Sequence, residues 1–176
     1  MKTNNKGFTL IELLVVITII SILATISIPQ FAKYRVRAFN AVAISDLRNA
    51  KTELEGYYLD PQRYSYPIKA TICYSTDTNG CLEGVNEFDF KFSNKDQHAY
   101  QSDSSGQYYV LATKHLNGDS VYGSGSGVSR VYMSRNSKGA TDWRGVDIKT
   151  SLGDIGMPDV DNATDKGFNA EGWELM

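Results

Sequence analysis

Residues that carry chemistry are scarce in this chain of 176 residues, which has two cysteines and two histidines. His98 and His115 lie in ordinary strand-like or polar surroundings. Without an activated base or a nucleophile motif, the many Ser and Asp residues do not compose a hydrolytic set, and no enzyme is expected. The chain lacks C-x-x-C-H, which excludes covalent haem attachment, and it lacks a dinucleotide fingerprint, so no cofactor is expected. Gly123-Ser124-Gly125-Ser126-Gly127 precedes no helix start and no P-loop lysine, so it reads as a flexible hairpin connection rather than a phosphate cradle. Charge of one sign is also missing: 18 basic and 20 acidic side chains leave a net charge of −2. That balance argues against a specific nucleic-acid partner. Asp154, Asp159, Asp161 and Asp165 have the composition of a calcium loop without the EF-hand spacing, its Gly or its closing Glu. They read as a solvated acidic loop, and no metal is expected.

One absence organises the chain. From Leu13 to Ala32 there is no ionisable side chain, within the stretch Lys6 to Pro29 that reads KGFTLIELLVVITIISILATISIP. At about 1.5 Å of helix per residue such a run crosses a hydrocarbon core of roughly 30 Å. A cleaved secretory signal fits poorly, because Ile26-Ser27-Ile28-Pro29-Gln30-Phe31 offers no A-x-A site and the run exceeds a usual apolar signal core. A plain signal anchor, with Lys2 and Lys6 inside, explains topology but not Glu12. A carboxylate within such a run costs on the order of 2.5 to 3.5 kcal/mol at a helix centre and somewhat less near an interface. Glu12 therefore calls for a partner, and no basic side chain close in sequence serves.

The residues Lys6-Gly7-Phe8-Thr9-Leu10-Ile11-Glu12 resemble the type III signal of type IV pilins and pseudopilins. The resemblance implies that a prepilin peptidase cuts between Gly7 and Phe8 and that Phe8, the new terminus, is N-methylated. It also implies that Glu12 pairs with the terminal ammonium of a neighbouring subunit and that Pro29 is the helix-bending proline. The ring of Pro29 leaves the Thr25 carbonyl without an intrahelical donor. Residues 29–40 and 45–49 are most similar to the short pilins of metal-reducing bacteria. That similarity covers about the first third, and the head after Asp60 must be read from its own residues.

The domain reading is a leader over 1–7, a transmembrane or filament-core helix over 8–29, an amphipathic half over 30–60 and a globular head over 61–176. In the amphipathic half Ile44, Leu47, Leu54 and Tyr58 form an apolar stripe, with Arg48, Lys51 and Glu55 away from it. Phe31, Tyr34, Phe39, Tyr57 and Tyr58 read as packing residues, a charge-conducting aromatic stack being the alternative. Pro61 ends the helix near Asp60. Cys73 and Cys81 flank the turn signal Asp77-Thr78-Asn79-Gly80, and outside a bacterial membrane such a pair predicts a disulfide. Strict alternation predicts a strand over Glu87–Phe92. Further strands are expected over Gln107–His115 and Val128–Ser134, with Trp143, Val146 and Ile148 as a possible last one. The tail is otherwise irregular, and Asn162-Ala163-Thr164 fits a glycosylation sequon only formally.

The expected fold class is α+β: a long N-terminal helix, apolar then amphipathic, packed on a C-terminal antiparallel sheet. The resemblance implies a structural subunit of a type IV pilus, held in the inner membrane as a single pass with its N-terminus cytoplasmic. It is then polymerised with copies of itself into a surface filament by an assembly platform and ATPases. A major pseudopilin of a type II secretion system is the alternative, and a plain membrane-anchored binding domain a third.

Overall fold

The computed structural model describes residues 7–59, 65–67, 73–75, 81, 90–135, 143–158, 168 and 173–176. One helix, α1 (Leu10–Tyr58), runs through Pro29 without interruption. The chain forms two compact units, Met1–Arg35 and Val36–Met176. In the first, the described residues are exposed apart from a half-buried Ala24. Its hydroxyls are absorbed by the helix itself, Thr18, Ser21 and Thr25 each donating to the carbonyl four residues back at 2.7–2.8 Å. That back-bonding lets polar side chains sit in an apolar helix without unsatisfied groups.

The second unit is a six-stranded antiparallel sheet in sequential order, covered on both faces. Its strands are β1 (Cys73–Ser75), β2 (Asp96–Ser102), β3 (Tyr109–His115), β4 (Ser120–Gly125), β5 (Tyr132–Arg135) and β6 (Glu174–Leu175). A second helix, α2 (Ile148–Ile155), follows β5. On one face Ala43, Leu47, Ala50 and Leu54 of α1 pack with Tyr100, Tyr109, Leu111 and Tyr122. On the other, Ala99, Val110, Ala112 and Val121 meet Trp143, Ile148, Leu152, Phe168 and Trp173. The expected helix stripe is thus present, Leu47 and Leu54 fully buried and Ile44 and Tyr58 partly so, with Ala43 and Ala50 completing it.

Several local expectations are corrected. Residues 90–92 are not a strand, and 87–89 lie outside the described residues. Phe90 and Phe92 still meet edge to face at 4.9 Å, so the same-side placement that alternation suggested survives without a ladder. Gly123–Gly127 is not simply a flexible connection, since Gly123, Ser124 and Gly125 belong to β4, a buried strand pairing with β3 and β5. Its glycine has a packing reason: a Cβ at Gly123 would lie 2.8 Å from Phe168 and 2.9 Å from Trp173. The possible strand through Trp143, Val146 and Ile148 is instead a core tryptophan, a turn and the start of α2. Asp147 stands just before that helix, where short acceptor side chains are favoured, and apolar positions 148, 152 and 155 recur at helical spacing. The third expected strand is shorter than read, β5 beginning at Tyr132.

Arg48 is exposed as read, but Lys51 and Glu55 are engaged with the sheet. Lys51 donates to Ser124 Oγ (3.2 Å), to the Gly125 carbonyl (3.0 Å) and to the Val128 carbonyl. Glu55 accepts from the hydroxyls of Tyr66 (2.8 Å) and Tyr109 (3.0 Å). Phe39 stacks on His115 at 4.5 Å and Tyr58 on Tyr66 at 4.6 Å, which is packing. Residues 77–80, 159, 161–165 and with them the turn signal, most of the acidic loop and the sequon lie outside the described residues.

Candidate assembly site

The first turn of α1 places the charged group of the apolar segment. Thr9 precedes the helix, and Glu12 accepts from both the Thr9 N–H (2.8 Å) and the Thr9 hydroxyl (2.7 Å). The Glu12 N–H donates in return to Thr9 Oγ1 at 3.3 Å. This is a capping box, which occupies donors that a helix start otherwise leaves unpaired. No basic side chain is involved, but Glu12 has a neutral partner within its own chain, which sequence reading did not find. The missed signal was Thr-x-x-Glu in front of an apolar run. Gly7 and Phe8 stand just before this box, Phe8 exposed at 89%. A Cβ at Gly7 would meet nothing within 4 Å, so no packing demand holds a glycine there.

Beyond the box the helix offers a continuous apolar surface. Leu10, Ile11, Leu13, Leu14, Val15, Val16, Ile17, Ile19, Ile20, Ile22, Leu23, Ile26 and Ile28 are each about half exposed or more, between 49% and 88%. Contiguous apolar exposure on this scale marks a surface meant for lipid or for another protein. Among the described residues, this helix alone is long and apolar enough to cross a membrane. At Pro29, the missing N–H leaves the Thr25 carbonyl without its intrahelical donor, while the Thr25 hydroxyl bonds back to Ser21. Glu12 and Pro29 thus lie on α1 with Gly7 and Phe8 just before its start, all four in the first unit, whereas Cys73 and Cys81 belong to the second.

In that unit Cys73 and Cys81 are joined in a disulfide with Cα atoms 5.6 Å apart, and no free cysteine is present among the described residues. His98 lies beneath it, fully buried, stacked on Phe92 at 3.8 Å and accepting the Cys81 N–H at Nε2 (3.2 Å). Its proton therefore resides on Nδ1, and burial holds its pKa down at about 4. A second titratable group joins α1 to the sheet. Asp46 accepts from the backbone and hydroxyl of Ser93, at 2.6 and 3.0 Å. Asp96 beside it is 1% exposed and receives no donor on either carboxylate oxygen. Burial, and then the Asp46 charge, push the Asp96 carboxyl up to about 9. A protonated Asp96 can give its hydrogen to Asp46, which resolves two acceptors placed together. Sequence reading missed this pair because the partners come from separate elements.

Comparison with known proteins places the N-terminal segment. The prokaryotic N-terminal methylation motif matches residues 2–28. The type IV major fimbrial protein FimA of Dichelobacter nodosus is 43% identical over 86 residues, 49% of this chain and 50% of that protein. A fimbrial protein of Neisseria meningitidis is 40% identical over 81 residues, 46% of this chain and 48% of its own length. The type IV major pilin protein PilA of Myxococcus xanthus is 43% identical over 62 residues, 35% of this chain and 28% of that protein. The chain spans half or less of the length of these relatives.

Proposed function

We propose that this chain, whose N-terminal segment is that of the type IV pilins, is the structural subunit of a type IV pilus. The observation that carries the reading is the uncovered apolar helix with a single acid at its start. In the bilayer that surface faces lipid, and in a filament it faces the same helices of neighbouring copies, where close packing replaces lipid contacts. The work is mechanical rather than catalytic. A prepilin peptidase cuts between Gly7 and Phe8 and methylates the Phe8 nitrogen. The subunit then waits in the inner membrane as a single pass, its N-terminus towards the cytoplasm, until an assembly platform and its ATPases extrude it to the cell surface.

Cleavage after Gly7 creates an ammonium next to the capping box. Phe8 and Glu12 are four apart in sequence at the start of α1, so the new charge relieves the carboxylate in the membrane, and a neighbour's Phe8 supplies a second charge in the filament. Pairing in an apolar core favours subunits entering at one axial offset. The relatives are pilins and fimbrial proteins by name, which weighs against the pseudopilin alternative. Mass spectrometry of sheared filaments tests the reading. The expected subunit begins at a methylated Phe8, whereas a terminus at Met1 or beyond Pro29 contradicts it.

A further inference from the structure

The half of α1 that packs on the sheet has flanks of opposite charge. At about 100° of rotation per residue, Arg48 and Glu53 point about 140° apart, on either side of the buried stripe. A groove of about 590 Å³ opens on the Arg48 flank, lined among others by Lys51, Glu55, Arg130, Val131 and Met176. Two of these charges are committed, Lys51 to acceptors of β4 and the turn after it and Glu55 to two tyrosine hydroxyls. The charges left over are the guanidinium groups of Arg48 and Arg130, both exposed and both without a side-chain partner among the described residues. Glu53, on the opposite flank, is likewise exposed and without a partner among them.

We propose that the Arg48–Arg130 groove receives the Glu53 flank of α1 from a second copy of this chain, an inference that rests on the filament reading. A two-fold contact between grooves would set guanidinium against guanidinium and is opposed by charge. The complementary arrangement is groove against opposite flank, a head-to-tail contact that leaves each copy with one groove and one flank to offer. Repeated, it makes an open polymer rather than a closed dimer. Half-buried Val131 and exposed Met176 give the groove an apolar wall against which arginine stems and the incoming helix can pack. A guanidinium also holds a carboxylate through two parallel hydrogen bonds, so the contact sets rotation between subunits as well as attraction.

The test uses cells whose only subunit is the full-length chain, with sheared filaments measured against membrane level. Arg48→Glu with Arg130→Glu should lower filament yield about tenfold or more at unchanged membrane level. Adding Glu53→Arg to that chain should restore the yield. As a second measurement, Arg48→Cys with Glu53→Cys should give a ladder of disulfide-linked oligomers that neither single variant gives. Two positions five apart on one helix are too far apart to bridge within a chain. Wild-type cells without filaments would overturn the filament reading itself. Wild-type filaments, with the reversed variant polymerising normally and no ladder forming, would overturn the groove alone. Normal filaments together with lost binding of inorganic phosphate in the reversed variant would assign the groove to a small anion and overturn the proposal.

Discussion

Glu12 accepts two hydrogen bonds from Thr9, one from the backbone N–H at 2.8 Å and one from the hydroxyl at 2.7 Å. The same carboxylate is proposed to meet a terminal ammonium, so capping and charge pairing must be separated by experiment. Glu12→Gln retains size and hydrogen-bonding ability but removes the charge. It should reach the membrane at wild-type level and yield few filaments. Thr9→Ala keeps the charge and removes the hydroxyl, and should keep filament yield within a few-fold of wild type. Equal loss in both variants would show that assembly needs the cap, and a wild-type yield from Glu12→Gln would leave the segment a simple anchor.

Removing the disulfide should weaken the second unit without unmaking its sheet. Cys73 and Cys81 are eight apart in sequence, and closing so small a ring stabilises by about 2 to 3 kcal/mol in the chain-entropy account. The Cys73→Ser/Cys81→Ser double variant should therefore unfold at lower denaturant concentration, with the unfolding slope little changed. Alkylation of unreduced, denatured wild-type protein should label no thiol. Labelling of both cysteines would contradict the bond.

Stability should fall as pH rises from neutrality towards 9. Asp96 keeps its proton in the folded state up to about 9, while an unfolded chain loses it near 3.8. Between those values the unfolded state binds fewer protons, so stability declines with pH, by at most about 1.4 kcal/mol per unit from this group. His98 acts in the opposite sense and over a lower window. Its folded pKa of about 4 lies below the ordinary 6.5, so its neutral form contributes stability that is lost as pH falls through that range. The two slopes oppose one another below 6.5, and Asp96 acts without His98 above it. Asp96→Asn should flatten the dependence of the urea midpoint between pH 6.5 and 9, because the amide supplies Asp46 with a donor and does not titrate. An unchanged slope would mean that Asp96 is ionised in the folded protein.

Gly123→Ala should destabilise the second unit by about 1 to 3 kcal/mol, the usual cost of overpacking a filled core. The added methyl would meet the rings of Phe168 and Trp173 below 3.0 Å, and those rings are themselves packed at 5.6 Å against each other. Thermal unfolding of the head should show the loss. A neutral result would mean that the two rings move aside at little cost.

The amino-acid sequence by itself determined the segment from Gly7 to Pro29, because its signals are local. A hydrocarbon span demands an uninterrupted apolar run, a helix start demands a cap, and both demands are met by residues a few positions apart. The apolar stripe through Leu47 and Leu54 was legible for the same reason, helical periodicity needing one solvated side, and the cysteine pairing followed from there being only two. Tertiary structure alone decided β4, in the middle of the sheet. Both faces of the sheet are covered, so β4 is buried along its whole length and shows no alternation that would announce it, whereas β3 was expected within Gln107–His115. Gly123–Gly127 reads as a flexible connection until Phe168 and Trp173 are seen to occupy the space a side chain at Gly123 would need. Lys51 and Glu55 were read as lying away from the packed stripe, and became ties to the sheet because their partners, Ser124 and Tyr109, are brought to α1 only when the chain folds. Their pairing depends on distance in space, which one strand of residues read in order does not contain.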